Sequence, residues 1–173
     1  MLSEGSDAPD FRLPGTTADP TDDEVARYGL ADALDDGPVV VSFYLFDFHP
    51  ACTDHMCSLH DLAWVGLEED VTVFGVSTDK SFSHSAFAER EGLAFTLLSD
   101  SDGTVAEDYG VLYDEFRDHK RVSKRSVFVI DTDHTIRYAW ATDDPREQPD
   151  WGPVREALAG LRDGDAETEL PQG

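Results

Sequence analysis

The sequence is poor in cysteine and in basic residues. It has two cysteines in 173 residues, and 13 basic residues, of which only Lys80, Lys120 and Lys124 are lysines, stand against 37 acidic ones. Duplex nucleic acid is therefore a poor partner, since binding phosphates requires a basic surface. Long apolar runs are also missing: no stretch reaches the length of a membrane span, and residues 1–7 lack the basic and apolar regions of a signal peptide. These absences predict a cytoplasmic location and no membrane association.

The acidic residues are spread along the whole chain, giving a formal net charge of −24 with 40% hydrophobic residues. A disordered acidic segment would lack this hydrophobic content. Spread acidity on a globular chain is typical of proteins that work in very high salt, where screening removes the self-repulsion. The composition therefore predicts a halophilic source.

Both cysteines, Cys52 and Cys57, lie in one segment, in which a strand, a turn and a helix are predicted in succession. The apolar run Val39–Leu45 predicts a buried strand. A turn at residues 49–51 follows, and an amphipathic helix is predicted from about Thr53 to Leu67. Free N–H groups and the positive dipole end of a helix favour a thiolate at its start. Because structural disulfides are rare in the cytoplasm, the pair is expected to be catalytic, redox-sensing or metal-binding.

The remaining pattern alternates strands and helices and predicts an α/β thioredoxin-like fold, a central mixed sheet flanked by helices. Residues 1–162 are expected to form a single domain, followed by an acidic tail over 163–173. His84, His119 and His134 are expected to be solvated. The other predicted elements are a short helix around Glu24–Leu34, strands Val71–Ser77 and Phe95–Leu98, a helix Ser81–Glu91 stopped by Gly92, a hairpin of Ser126–Asp131 with Thr135–Trp140, and a helix at about Gly152–Arg162.

Several motifs share their order and spacing with one known family. They are APDFRLP (8–14), the strand and turn ending at Cys52, GVSTD (75–79), FAEREGLAFTLLSD (87–100), DGTVAEDYGV (102–111) and RSVFVID (125–131). With these motifs the chain resembles the peroxiredoxins of the AhpC/TSA superfamily from about residue 5 to 140. The bacterioferritin-comigratory, thioredoxin-dependent branch is the most similar.

The resemblance implies a thiol peroxidase that reduces hydrogen peroxide and organic hydroperoxides without a cofactor. It implies that Cys52 is the peroxidatic cysteine, Cys57 the resolving cysteine, and Arg125 the partner of the thiolate. It also implies a thioredoxin- or glutaredoxin-like electron donor and a monomer or homodimer. Cα atoms five residues apart in a helix lie about 8–9 Å from each other, whereas a disulfide needs less than about 7 Å. A Cys52–Cys57 disulfide therefore requires the start of the helix to unwind.

The chain departs from the family pattern at three positions. Leu45 and His49 stand where the family has proline and threonine, and His55 replaces a common glutamate. His49 is a candidate to hydrogen-bond the peroxide or to pair with Cys52, and it could equally be an inert turn residue. Lys124 or Arg121 could lie beside the site instead of Arg125.

Three other functions are compatible with parts of the sequence. A redox sensor or binding protein would keep the fold with little turnover. A thiol–disulfide oxidoreductase is disfavoured because the C-x-x-C motif is missing. A metal site is disfavoured because its ligands would lie on different sides of one helix; they would be His49, Cys52, His55, Cys57 and His60.

Overall fold

The computed structural model describes residues 1–17, 25–66 and 70–168, with side chains omitted at 63–66 and 162–168. The strands are β1 (Arg12–Thr16), β2 (Ala26–Gly29), β3 (Val39–Phe43), β4 (Thr72–Ser77), β5 (Thr96–Ser99), β6 (Leu112–Phe116), β7 (His119–Ser123), β8 (Ser126–Ile130) and β9 (Ile136–Ala141). The helices are α1 (Leu30–Leu34), α2 (Pro50–Gly66), α3 (Ser81–Glu91), α4 (Thr104–Asp108) and α5 (Trp151–Thr168).

Seven strands form one mixed sheet in the order β2-β1-β5-β4-β3-β8-β9, and β6 and β7 form a separate hairpin. The centre is parallel, because α2 connects β3 to β4 and α3 connects β4 to β5. The outer strands pair antiparallel, β8 with β3 and β9 on one side, β1 with β5 and β2 on the other. This mixed sheet flanked by helices confirms the predicted fold class.

Each face of the sheet carries its own hydrophobic core. Val40 of β3 and Val127 of β8 pack in the core that includes residues of α2, α3 and α5, whereas Val41 and Phe128 pack in the core that includes α1 and α4. Side chains alternate between faces along a strand. Ser42 and residue 125 therefore fall on the α2 face, the side that carries Cys52.

Most predicted elements are confirmed with shifted ends. Helix α3 has the predicted bounds, and Gly92 ends it with a left-handed φ of 67°. Strand β3 ends at Phe43, two residues early, and α2 begins at Pro50, three residues early. The predicted end of α2 at Leu67 lies outside the described residues. Helix α5 continues to Thr168, into the segment assigned to the acidic tail.

One prediction about local structure was wrong, and one hairpin was not predicted. Residues 26–34 are not one short helix: β2 pairs with β1 before α1 begins at Leu30. The start of that predicted helix, Glu24, is outside the described residues. The β6–β7 hairpin was missed because its turn, Arg117 and Asp118, takes positive φ values of 46° and 65° without the glycine or asparagine that marks such turns. Among the described residues, no helix is long and apolar enough to cross a membrane.

Candidate active site

Cys52 lies in the first turn of α2 and its side chain is fully buried. Pro50 opens the helix, a position that suits its fixed φ and missing N–H. The His49 carbonyl accepts the first helical hydrogen bond, from the Thr53 N–H at 2.8 Å. Cys52 belongs to the core on this face of the sheet, as do Leu45 and, one helical turn further on, Met56. The helix start thus buries the thiol against the β3 side of the molecule.

Arg125 is the cation beside Cys52. It precedes β8, is completely buried, and its Nη2 lies 3.4 Å from the Cys52 Sγ. The same Nη2 donates to the Pro145 carbonyl at 2.7 Å. Both neighbouring candidates bind elsewhere on the surface, Lys124 to Asp143 and Arg121 to Glu107. Arg125 and Cys52, which the family resemblance pairs, therefore lie within hydrogen-bond distance for sulfur.

His55 is a site residue whose contacts the sequence did not predict. Its Nδ1 lies 2.8 Å from Arg125 Nη1 and its Nε2 lies 2.7 Å from the Ser42 hydroxyl, all of them buried. Burial, followed by the charge of Arg125, lowers the pKa of His55 well below its usual value. The ring is one helical turn from Cys52, and this i, i+3 spacing is the signal that could have linked the two.

His49 borders the site without a fixed partner for one ring nitrogen. Within the described residues its Nδ1 is buried and has no hydrogen-bond partner, and the same holds for Arg125 Nε. Partial burial, then Arg125 and Arg117, lowers the pKa of His49. The ring is therefore held neutral next to cations, with one polar atom unused by the protein.

Cys57 points away from Cys52. It is half-buried, and its thiol donates to Glu91 Oε2 of α3 at 3.7 Å. Burial and then the Glu91 carboxylate raise the pKa of Cys57. Both cysteines are reduced and are held on different partners, Arg125 and Glu91.

The connection between β9 and α5 covers the start of α2. Gln148 donates to the Ala51 carbonyl at 2.9 Å, and the Trp151 indole donates to Ser58 at 2.9 Å. The Trp151 ring also lies 5.8 Å from the His55 ring, centroid to centroid. Unwinding of α2 between Ala51 and Ser58 would therefore have to break these contacts as well.

The prediction that His84 is solvated was wrong. His84 is fully buried in α3, with Nδ1 2.9 Å from Asp47 Oδ2 and Nε2 3.0 Å from the Leu98 carbonyl. Both ring nitrogens therefore lie within hydrogen-bond distance of oxygen atoms from other elements. His119 is exposed and His134 is partly exposed.

One group of acidic and histidine side chains in the described residues has metal-ligand spacing: Asp47, Asp79 and His84, with ligand atoms within 4.8 Å of one another. Its atoms are already bonded to each other and to neighbouring hydroxyls, for example Asp47 to Tyr44 and Ser83. The group therefore serves to connect the loop before α2 with α3. The His and Cys residues of α2 do not form such a group, since His55 faces Arg125 and Cys57 faces Glu91.

A thiol in the first turn of a helix is hydrogen-bonded by a buried arginine beside the ends of the interior strands β3 and β8. On a thioredoxin-like sheet this arrangement is typical of a thiol peroxidase. Comparison with known families agrees. The AhpC/TSA family matches residues 5–139, and the chain belongs to this family of peroxiredoxins.

Individual relatives support the same assignment. The chain is 37% identical to a putative peroxiredoxin bcp of Coxiella burnetii over 142 residues, covering 80% of this chain and 88% of that protein. It is 32% identical to chloroplastic peroxiredoxin Q of Suaeda salsa over 80% of this chain and 60% of that one. Among solved structures, peroxidoxin BcpB of Mycobacterium tuberculosis superimposes with a TM-score of 0.75 at 32% identity, covering 94% and 98% of the two chains.

Proposed function

We propose that Cys52 is the peroxidatic nucleophile of this thiol peroxidase. Its thiolate attacks the distal oxygen of a hydroperoxide and the O–O bond breaks. The leaving oxygen takes a proton and departs as water or an alcohol, and Cys52 becomes a sulfenic acid. The observation that carries this assignment is the 3.4 Å contact between Arg125 Nη2 and the Cys52 Sγ in a fully buried setting.

Arg125 acts on the transition state in this proposal. Its guanidinium stays charged and presents several donors in a fixed plane, so it can contact the sulfur and a peroxide oxygen together. As the O–O bond breaks, negative charge moves from sulfur to the leaving oxygen, and a fixed cation stabilises it throughout. Arg125 Nε is a buried donor with no partner in the described residues, which leaves it available for that oxygen.

His49 is proposed as the second group that contacts the peroxide. Its buried Nδ1 also lacks a partner in the described residues. Leaving buried polar atoms unpaired costs about 1–3 kcal/mol each, a cost that a bound peroxide would remove. A neutral imidazole can supply the hydrogen bond that the missing threonine hydroxyl would supply. A contact of His49 with the peroxide is favoured over direct pairing of His49 with Cys52, because Arg125 already hydrogen-bonds the Cys52 thiol.

Cys57 is proposed as the resolving cysteine. Its thiolate attacks the sulfur of the Cys52 sulfenic acid, water leaves, and a Cys52–Cys57 disulfide forms. Both residues lie within α2, and each is bound to a different partner, Arg125 or Glu91. The first turns of α2 must therefore unwind and release both contacts before the sulfurs can meet.

A dithiol of the thioredoxin or glutaredoxin type would reduce the disulfide and return both cysteines to thiols. We place the enzyme in the cytoplasm of a halophile, as a monomer or homodimer. The composition supports this setting, with −24 net charge on a chain of 40% hydrophobic residues.

Peroxide consumption in molar salt, with a recycled thioredoxin system present, tests the function. With the thioredoxin system present, we expect many turnovers for the wild type and none for Cys52→Ser. Cys57→Ser should consume about one equivalent, because its Cys52 sulfenic acid has no resolving thiol within the chain. Consumption of a single equivalent by the wild type would instead support the redox-sensor alternative. Reduction of insulin without peroxide would support a thiol–disulfide oxidoreductase.

A further inference from the structure

A fully buried chain of hydrogen bonds leads from the sheet to Cys52. Ser42 of β3 contacts His55, His55 contacts Arg125, and Arg125 contacts the Cys52 sulfur, with distances of 2.7, 2.8 and 3.4 Å. Ser42, His55, Cys52 and Arg125 are all 0% exposed. The guanidinium is thus held from one side by His55 and from another by the Pro145 carbonyl.

The geometry fixes the protonation state of His55. Arg125 offers only N–H donors, so the Nδ1 that it faces must bring a lone pair. The proton then resides on Nε2, which donates to the Ser42 hydroxyl. A second proton on Nδ1 would set two donors against each other in a buried place. His55 is therefore a neutral acceptor.

The neutral state of His55 matters because its partner Arg125 is charged, and a neutral partner does not offset that charge. Within the described part of the chain, the ring also contacts the Ser42 hydroxyl of β3 and the Trp151 indole ring of α5, and neither carries charge. A carboxylate in this place would also hold the guanidinium, but its negative charge would cancel that of Arg125 and repel a thiolate nearby. The imidazole holds the same group and leaves its charge uncompensated.

We propose that His55 is the positioning residue of Arg125, holding the guanidinium on Cys52 while leaving its full positive charge to the thiolate. The inference rests on the proposed function only in taking Cys52 as the nucleophile. In this role His55 acts on Cys52 through Arg125, and a histidine can therefore replace the glutamate that is common at this position in the family.

The test is a titration of the Cys52 thiolate by its absorbance near 240 nm, in a Cys57→Ser background and without peroxide. His55→Gln keeps a neutral acceptor for Arg125, and we expect its titration midpoint to stay within a few tenths of a pH unit of the parent. His55→Glu introduces the competing charge, and the midpoint should rise by about one pH unit or more. His55→Leu removes the acceptor, and Arg125 loses its fixed position.

A purely structural role for His55 gives a different pattern. In that case the shift of the Cys52 titration midpoint would increase with the loss of thermal stability of each variant. It would not depend on the charge of the side chain at position 55. Equal midpoints for the glutamate variant and the parent would overturn the proposal, as would an equal shift in the glutamine and glutamate variants. If the glutamate variant does not fold, the comparison of glutamine with leucine decides. A leucine variant that matches both glutamine and parent in midpoint and peroxide rate would also overturn it.

Failure of the proposed function would be visible separately. Cys52 that ionises as expected in all variants but does not react with peroxide contradicts the peroxidase assignment and leaves the role of His55 intact.

Discussion

The Cys57 thiol and the Glu91 carboxylate form a contact between α2 and α3, with Sγ 3.7 Å from Oε2. Half-burial and this carboxylate raise the pKa of Cys57, so the residue stays protonated while α2 is folded. A protonated thiol is a weak nucleophile. In the proposed cycle, unwinding of α2 therefore has two effects. It lets Cys57 approach Cys52, and it separates Cys57 from the Glu91 carboxylate that keeps the thiol protonated.

Glu91→Gln should make Cys57 more reactive in the folded state. Removing the charge lowers the pKa of Cys57, and alkylation by iodoacetamide near neutral pH should speed up several-fold in a Cys52→Ser background. Glu89→Gln, an exposed residue on the same helix, is the matched control and should leave the rate unchanged. Equal rates in all three proteins would show that Glu91 does not control the thiol.

Arg125→Lys should slow the oxidation of Cys52. Lysine keeps the charge, but one ammonium group cannot reproduce the planar fork that reaches Cys52, His55 and the Pro145 carbonyl. The second-order rate constant for peroxide should fall on the order of 10²-fold in stopped-flow measurements. Arg121→Lys, an exposed arginine paired with Glu107, is the control. A rate unchanged by Arg125→Lys would exclude a specific role of the guanidinium.

His49→Ala should also slow peroxide oxidation of Cys52. The neutral ring is proposed to hydrogen-bond the peroxide, and its loss should cost on the order of 10²-fold in rate. His60→Ala removes a histidine from α2 without touching this site and should react at the parental rate. If His49→Ala reacts as fast as the parent, His49 is only a turn residue.

Stability should fall in mild acid, in part because of His55. Its pKa is well below the usual value in the folded state, whereas the unfolded chain takes up a proton near pH 6.5. Below that pH the unfolded state binds more protons, so the free energy of unfolding decreases by up to about 1.4 kcal/mol per pH unit. His55→Gln should show a shallower decline between pH 7 and 5 in urea unfolding. Parallel declines would contradict the assignment of a neutral His55.

The buried pair of His84 with Asp47 should contribute to stability. It joins α3 to the loop before α2, and His84→Ala would leave the buried Asp47 carboxylate without this hydrogen bond. Losing the partner of a buried polar group costs about 1–3 kcal/mol. Phe82→Ala on the same helix removes a side chain that is 78% exposed and should change the free energy of unfolding by about 0.5 kcal/mol or less. Equal losses in the two variants would contradict the account.

The parts of the fold that follow local rules were predictable. Strand β3 is an unbroken apolar run, and α3 ends at a glycine that adopts a left-handed conformation. The position of Cys52 followed from the same kind of signal, a strand followed by a proline turn. Such features depend on residues close to each other in the chain.

The parts that were missed depend on distant partners. His84 can be buried because Asp47, 37 residues away, supplies a hydrogen-bond partner for its ring. In the same helix the aromatic side chain of Phe82 is largely exposed. His55 reaches Ser42 and Arg125, which lie 13 and 70 residues away. No periodicity within α2 or α3 encodes these contacts.

The two-cysteine cycle can be tested by treating the reduced protein, in molar salt, with one equivalent of hydrogen peroxide and mapping its thiols by mass spectrometry. A Cys52–Cys57 disulfide should form within seconds. A lasting sulfenic or overoxidised Cys52 with Cys57 still free would contradict resolution by Cys57. An absence of reaction at both thiols would contradict the proposed role of Cys52.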